Sequence, residues 1–453
     1  MILPICIDKY GIIFNDKKKE RNPMERKNKL TPLERSWILY DIGNSAYVLL
    51  VATLLPIYFN ALMTSAGVAE ELYLSYWADA GAIATVLVAI LGPICGTLAD
   101  QKGFKKPIFL ACAAVGVLGC AALGLTANWL LFLVIFILSK VGFNASIVFY
   151  DSMLPEVTTN KRMDKLSTMG YAYGYIGSVI PFVLCLVLVL MSDSFGLTQG
   201  TAMVLAFLIT AVWWAICTGP LAKHYRQTAY VPKRTHPVRD TFRQLARTFR
   251  SARKEKHIFL YLLAFFFFIN GVYTIIDMAT AYGTALGLDS TGLLLALLLT
   301  QVVAFPFAIL FGRLAAKVDS GKLIKICILC YTGITLFAMF LITQWQFWVL
   351  AVLVGMFQGA IQALSRSYLG KIIPQEQSGE YYGLMDICGK GASFLGMFLV
   401  GRISQLTIGM DFSLFGLQLQ HENLAVGALV ILFVIGFILF CKADKLCREK
   451  VHT

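Results

Sequence analysis

Four sets of polar side chains recur at helical spacing inside stretches that are otherwise apolar. Asp41, Asn44 and Ser45 fall within about one-third of a helix circumference at 3.6 residues per turn. Lys140, Asn144 and Asp151 form a second stripe, at i, i+4 and i+11. Asn270, Tyr273, Thr274 and Asp277 form a third, and Gln358, Gln362, Ser365 and Arg366 a fourth. Amides, carboxylates and one lysine so arranged can bind a small polar solute. A buried acid can also carry a proton, and Asp41 and Asp277 are the candidates. Each residue has a plainer reading as well, a hydrogen bond between neighbouring helices. Asp386 and Lys390 stand at i, i+4 with Ser393 one turn on, which reads first as an intrahelical ion pair and second as a pair that opens and closes.

The elements that hold these stripes are long and apolar. A helix needs roughly 20 apolar residues to cross a hydrocarbon core of about 30 Å. Twelve such spans are predicted, at 36–62, 77–99, 107–125, 129–150, 168–191, 201–222, 259–282, 291–312, 323–343, 347–369, 381–405 and 424–441. The chain of 453 residues is 58% hydrophobic and 14% charged, more apolar surface than a water-soluble domain hides. The fold class is therefore an all-α integral membrane protein, with no room for a separate soluble catalytic domain.

The net charge of +13 is distributed by side. The links at 63–76, 126–128, 192–200, 283–290, 344–346 and 406–423 contain no Lys or Arg. The opposite links and the tails hold Lys102, Lys105, Lys106, Lys161, Arg162, Lys165, Arg313, Lys317, Lys322 and Lys325. The positive-inside rule then puts both termini in the cytoplasm, as an even span count requires, and the expected location is the cell membrane. The basic excess reads as orientation and lipid contact, not as a nucleic-acid groove.

Spans 1–6 and 7–12 read as copies. Gly96-Thr-Leu-Ala-Asp-Gln-Lys-Gly-Phe-Lys-Lys106 and Gly312-Arg-Leu-Ala-Ala-Lys-Val-Asp-Ser-Gly-Lys322 share Gly, Leu, Ala and the final Lys at an offset of 216. Leu154-Pro155-Glu156 and Ile373-Pro374-Gln375 align at 219. The domains follow: a cytoplasmic extension 1–35, a six-helix bundle 36–222, a basic linker 223–257, a second bundle 258–441 and a tail 442–453. Within the extension, residues 1–23 read as dispensable ahead of a second start at Met24. A six-plus-six repeat places a binding site between the halves near mid-depth. The four stripes lie in the first and fourth spans of each half, which are expected around a central pathway.

The linker carries eleven Lys or Arg against Asp240 and Glu255. From His236 on, Val238, Phe242, Leu245 and Phe249 share one helical face and Arg239, Arg243, Arg247 and Arg250 another, so 236–257 is expected as an interfacial helix on anionic lipid. Trp37, Trp77, Trp129, Trp345 and Trp348 sit at span ends, as interface anchors do. Gly170 and Gly174, with Gly177 one turn on, read as a close helix contact. Cys327 and Cys330 form a C-x-x-C inside an apolar run with no second pair, which reads as structural, and no metal or cofactor site is expected.

The link after span 2 resembles the signature of the major facilitator superfamily, filled here by Gly96, Asp100, Gly103, Lys105 and Lys106. The resemblance implies a cytoplasmic latch, made in one access state and broken in another. In the second copy Ala316 replaces the acid. A closer resemblance is to the vacuole-effluxer-like branch, carried by Ser36–Tyr47, by Gly142–Asn144 with Phe149–Asp151, and by Gln358–Ser367 with Gly383–Lys390. Span 7 departs: Asn270 stands before Gly271-Val272 where an acid is expected. The resemblance implies efflux of amino acids or similar metabolites. From the stripes themselves, Asp41, Asn44, Lys140, Asn144, Asn270, Tyr273, Asp277, Gln358 and Gln362 are the expected solute contacts and Asp151, Arg366, Asp386 and Lys390 the expected gating residues.

The expected function is a secondary transporter for a small polar solute, with protons as a second partner, the chain acting as a monomer. No phosphate-binding loop is present to couple ATP directly. His224, His236, His257, His421 and His452 all lie outside the spans, which speaks against an enzyme. The alternatives are a multidrug exporter, against which Lys140 at mid-depth argues, and a sensor on a transporter fold, which usually carries an added signalling segment.

Overall fold

The computed structural model describes residues 29–68, 72–232, 255–407, 412–414, 417–419 and 421–452. Its long helices are α1 (Pro32–Ala52, resuming as Leu54–Ser65), α2 (Tyr73–Ala99), α3 (Lys105–Ala122), α4 (Trp129–Ser152), α5 (Asn160–Leu190) and α6 (Gln199–His224). The second half repeats the series with α7 (Lys256–Ala285), α8 (Ser290–Leu314), α9 (Ser320–Met339), α10 (Gln344–Ile372), α11 (Ser378–Leu406) and α12 (Leu429–His452, preceded by His421–Gly427). Among the described residues, eleven helices are long and apolar enough to cross a membrane, and α11 contributes a shorter apolar stretch at Leu395–Leu406.

Local chemistry sets the ends. Thr31 and Glu34 form a reciprocal capping box at the start of α1, with Pro32 in its first turn. Asn128, Asp289 and Asp319 cap α4, α8 and α9 through their side chains. Span 1 is expected as one piece but breaks at Thr53. Pro56 lacks an N–H and its ring crowds the carbonyl four residues back, at Ala52, which explains the break. The helices α5 and α10 begin or end beyond their apolar runs, at Asn160 and Ile372, and these extensions carry side chains that join the two halves.

Two hydrophobic cores form, each from one half of the chain. The first gathers Tyr47, Phe59, Phe109, Phe132, Phe136 and Trp214, and the second Tyr261, Phe268, Tyr331, Phe433 and Phe440. Large apolar residues such as Ile90, Leu118, Leu184, Ile216 and Ile431 face outward, as in a protein whose solvent is lipid. The α5 glycines lie under α1: a Cβ at Gly170 would sit 2.7 Å from Asp41 Oδ2, and one at Gly174 would sit 2.8 Å from Ser45 Oγ. The halves meet where α2 lies against α11 and α5 against α8, with α4 also touching α11 and α10 touching α5. These pairs are related by the repeat. A short antiparallel pair, Phe412–Leu414 with Leu417–Leu419, lies in the link before α12.

The start of α1, the α2–α3 and α4–α5 turns, the chain after α6 and the end of α12 share one end of the bundle, called here the basic end. Glu34 pairs with Arg162 at 2.7 Å and accepts from Thr158 at 2.7 Å, and Lys450 pairs with Glu255 at 2.7 Å. The expected interfacial helix at 236–257 falls largely on 233–254, outside the described residues.

Candidate functional site

The α2–α3 turn is built around Asp100. Its carboxylate accepts the backbone N–H groups of Gly379 at 2.8 Å and Glu380 at 2.9 Å, which are orphan donors at the start of α11. Gly96 makes this approach possible, because a side chain there would collide with the Gly379 carbonyl. Gly103 takes a positive φ of 82°, which a tight turn needs and glycine adopts freely. Fully buried Lys105 donates to Glu156 at 2.8 Å and to Ser378 Oγ at 2.8 Å, and lies 3.5 Å from Asp100. Burial pushes the Asp100 carboxyl up to about 7 against the pull of Lys105. Lys106, in the same signature, is only half-buried and makes no ion pair among the described residues.

Glu156 holds the chain that leaves α6. It accepts from Tyr225 Oη at 2.9 Å and from the backbone N–H groups of Thr228 at 2.6 Å and Ala229 at 3.1 Å. Gln227 donates to Ala99 O at 3.0 Å and accepts from Gly103 N, and Val231 N donates to Asp100 O at 2.8 Å. The first residues of the linker are thus strapped onto the turn that meets α11.

One helix away, Arg366 of α10 enters the first half. Its Nη1 donates to Asp151 Oδ1 at 2.8 Å, its Nε to Ser167 Oγ at 2.9 Å and its Nη2 to Ser167 O at 3.0 Å. Asp41 Oδ2 lies 3.7 Å from Nη2 and has no hydrogen-bond partner among the described residues. The guanidinium sits 4.6 Å from the Trp37 ring, 4.5 Å from Tyr171 and 5.5 Å from Tyr150, all within cation–π reach. Beyond it, Asp164 of α5 takes Lys371 and Ser367 of α10. This pairing fastens the side where Ala316 supplies no carboxylate.

Trp37 corrects the sequence reading. It is fully buried, stacked on Tyr150 with centroids 4.3 Å apart, and donates from Nε1 to Tyr150 O at 3.1 Å, so it is no interface anchor. Trp345, 65% exposed, stands as an anchor should.

The mid-depth residues divide. Lys140 lies by the Phe136 ring and near Gly81 on α2. Asp277 of the other half has an exposed side chain and lies within range of the Lys140 charge. Asn144, Asn270 and Gln358 are buried, whereas Tyr273 and Gln362 are half-buried. Asn44 donates to Tyr40 O and Gln362 to Gln358 O, bonds within their own helices. Asp41, grouped by sequence with the solute contacts, faces Arg366. The span-4 stripe also divides, because Lys140 and Asp151 are about 16 Å apart along α4 at 1.5 Å per residue. Asp386 is half-buried, and the side chain of its expected partner Lys390 lies outside the described residues.

Sequence reasoning missed Tyr171, Ser167, Asp164, Ser367, Lys371, Glu156 and Tyr225. Asp164 had one signal, an acid just before an apolar span on the basic side. The aromatic residues had none, since aromatic side chains are common in any span.

Residues 32–444 match the family described as "Vacuole effluxer Atg22 like". The chain is 39% identical to the uncharacterized MFS-type transporter YxiO of Bacillus subtilis, covering 91% of this chain and 94% of that one. It is 24% identical to autophagy-related protein 22 of Coccidioides immitis, covering 71% and 66%. Among solved structures it superposes on the human organic anion transporter MFSD10 (TM-score 0.65, 14% identity, 92% of this chain and 100% of that one). It also superposes on the major facilitator transporter FucP in the outward conformation (TM-score 0.67, 14% identity, 91% and 97%).

Proposed function

The chain belongs to the vacuole-effluxer Atg22-like family of major facilitator transporters, and from that premise we propose that it exports a small polar, amino-acid-like metabolite by alternating access, coupled to protons. What supports the substrate class is that each half supplies one charge of opposite sign from its polar stripe, Lys140 from the first and Asp277 from the second. A zwitterion offers a carboxylate to the first and an ammonium to the second. A cation at this depth disfavours the greasy cations of a multidrug exporter. Asp277 is the candidate proton carrier.

The positive-inside rule assigns the basic end to the cytoplasm, so the state described is closed on that side. Uptake of a panel of radiolabelled amino acids into proteoliposomes, with and without a pH gradient, tests this. Saturable flux is expected, reduced at least about tenfold by Lys140→Gln or Asp277→Asn, the loss of roughly 1.4 kcal/mol of binding. An absence of flux for every zwitterion tried overturns the substrate class.

A further inference from the structure

The rings, carboxylates and hydrogen-bond acceptors that meet the Arg366 guanidinium come from the first half: Trp37 and Asp41 from α1, Tyr150 and Asp151 from α4, Ser167 and Tyr171 from α5. Its occupant comes from α10, in the second half. Any motion that parts the halves at the basic end withdraws the guanidinium and leaves two carboxylates among aromatic faces. Buried charges left so do not stay uncompensated. Even when filled, the box holds two carboxylates to one guanidinium, and Asp41 Oδ2, 3.7 Å from Nη2, is buried without a hydrogen bond among the described residues. Aromatic faces around an acid are the chemistry that recognises an ammonium group.

We propose that the box of Trp37, Tyr150, Tyr171, Asp41 and Asp151 binds the ammonium group of the transported solute when the basic end is open, and that Arg366 displaces it on closure. The site rests on the transporter reading above and adds a second place for the solute. Asp41 is about 14 Å along α1 from its start, at 1.5 Å per residue, so the box lies between the basic mouth and the Lys140–Asp277 level. A solute arriving from that mouth docks its ammonium here. The returning Arg366 takes the same faces and carboxylates and drives the solute onward. Solute and arginine are mutually exclusive, so the solute holds the basic end open until it moves deeper.

The test uses full-length protein carrying Thr168→Cys. Thr168 is buried and its hydroxyl lies against Gly312 of the other half, so a cysteine there reacts with maleimide when the basic end opens. Labelling at this site, mapped by peptide mass spectrometry at fixed pH, is measured with n-butylammonium and with 1-butanol, which has the same chain without the charge. A saturable rise of roughly fivefold or more with the amine alone is expected, a coupling within the usual allosteric range. Asp41→Asn with Asp151→Asn abolishes it. No rise, or an equal rise with 1-butanol, overturns the site, and the alcohol arm decides even where the double variant does not fold. Amino-acid flux measured on the same preparation separates the two readings. Flux without an amine response sinks the box alone, whereas an amine response without flux sinks the transport reading and leaves the box an ammonium site with no transported solute.

Discussion

Asn270 on α7 accepts the backbone N–H of Gly396 on α11 through Oδ1, at 2.9 Å. Thr274 donates to the same oxygen at 3.3 Å, and Nδ2 is buried with no hydrogen-bond partner among the described residues. A Cβ at position 396 would lie 2.5 Å from that oxygen, so glycine is what lets the amide reach the α11 backbone. The acid expected at position 270 would also accept this N–H. The amide accepts it without bringing a charge.

Asn270→Leu leaves a buried N–H and a buried hydroxyl without their acceptor. It is expected to lower stability by about 1–3 kcal/mol, read as a drop in Tm by differential scanning fluorimetry in detergent. An unchanged Tm would show that the Gly396 N–H is satisfied elsewhere.

Gly96→Val places two methyl groups where the Gly379 backbone lies. The α2–α11 contact at the basic end then cannot close, at a cost of about 1–3 kcal/mol to the closed state. Combined with Thr168→Cys, this change is expected to speed maleimide labelling at position 168. Labelling at the original rate would mean that α11 accommodates the side chain.

Asp100 carries a pH dependence with a defined sign. Burial raises its pKa to about 7 in the closed state, above the usual carboxylate value that it recovers when solvated. The closed state therefore holds the proton more tightly, and its stability relative to the open state increases as pH falls through 7. Labelling of the Thr168→Cys protein at that position, normalised to a freely exposed thiol, is expected to slow from pH 8 to 6. Asp100→Asn flattens the part of that slope centred near 7, and a slope left intact would assign the titration to another group.

Glu156→Gln weakens the charge-assisted bonds that hold Thr228 and Ala229. Hydrogen exchange at those two amides is expected to accelerate on the order of tenfold, with the α6 core unaffected. Equal exchange in both proteins would mean that Gln227 and Val231 hold the strap without the carboxylate.

The spans, their pseudo-repeat and the α2–α3 turn were legible in the chain because each rests on local physics. Hydrophobic length reports a crossing, charge bias a side, and Gly103 a turn that needs positive φ. The break at Thr53 has a local signal too, in Pro56, but the apolar run continues through it and hides the interruption. The box around Arg366 was not legible. Arg366 and Ser167 are 199 residues apart, and Asp41 and Asp151 belong to different spans.

Sequence alone determined where the long apolar helices run, which of their faces are polar and which ends are basic, since helix period and hydrophobic length act within one segment. Tertiary structure alone decided which polar group meets which. It placed Asp41 3.7 Å from the guanidinium of Arg366 and brought Lys371 of α10 to Asp164 of α5. Those pairings depend on how two separately folded cores lean on one another, and a spacing pattern within one helix does not encode that angle.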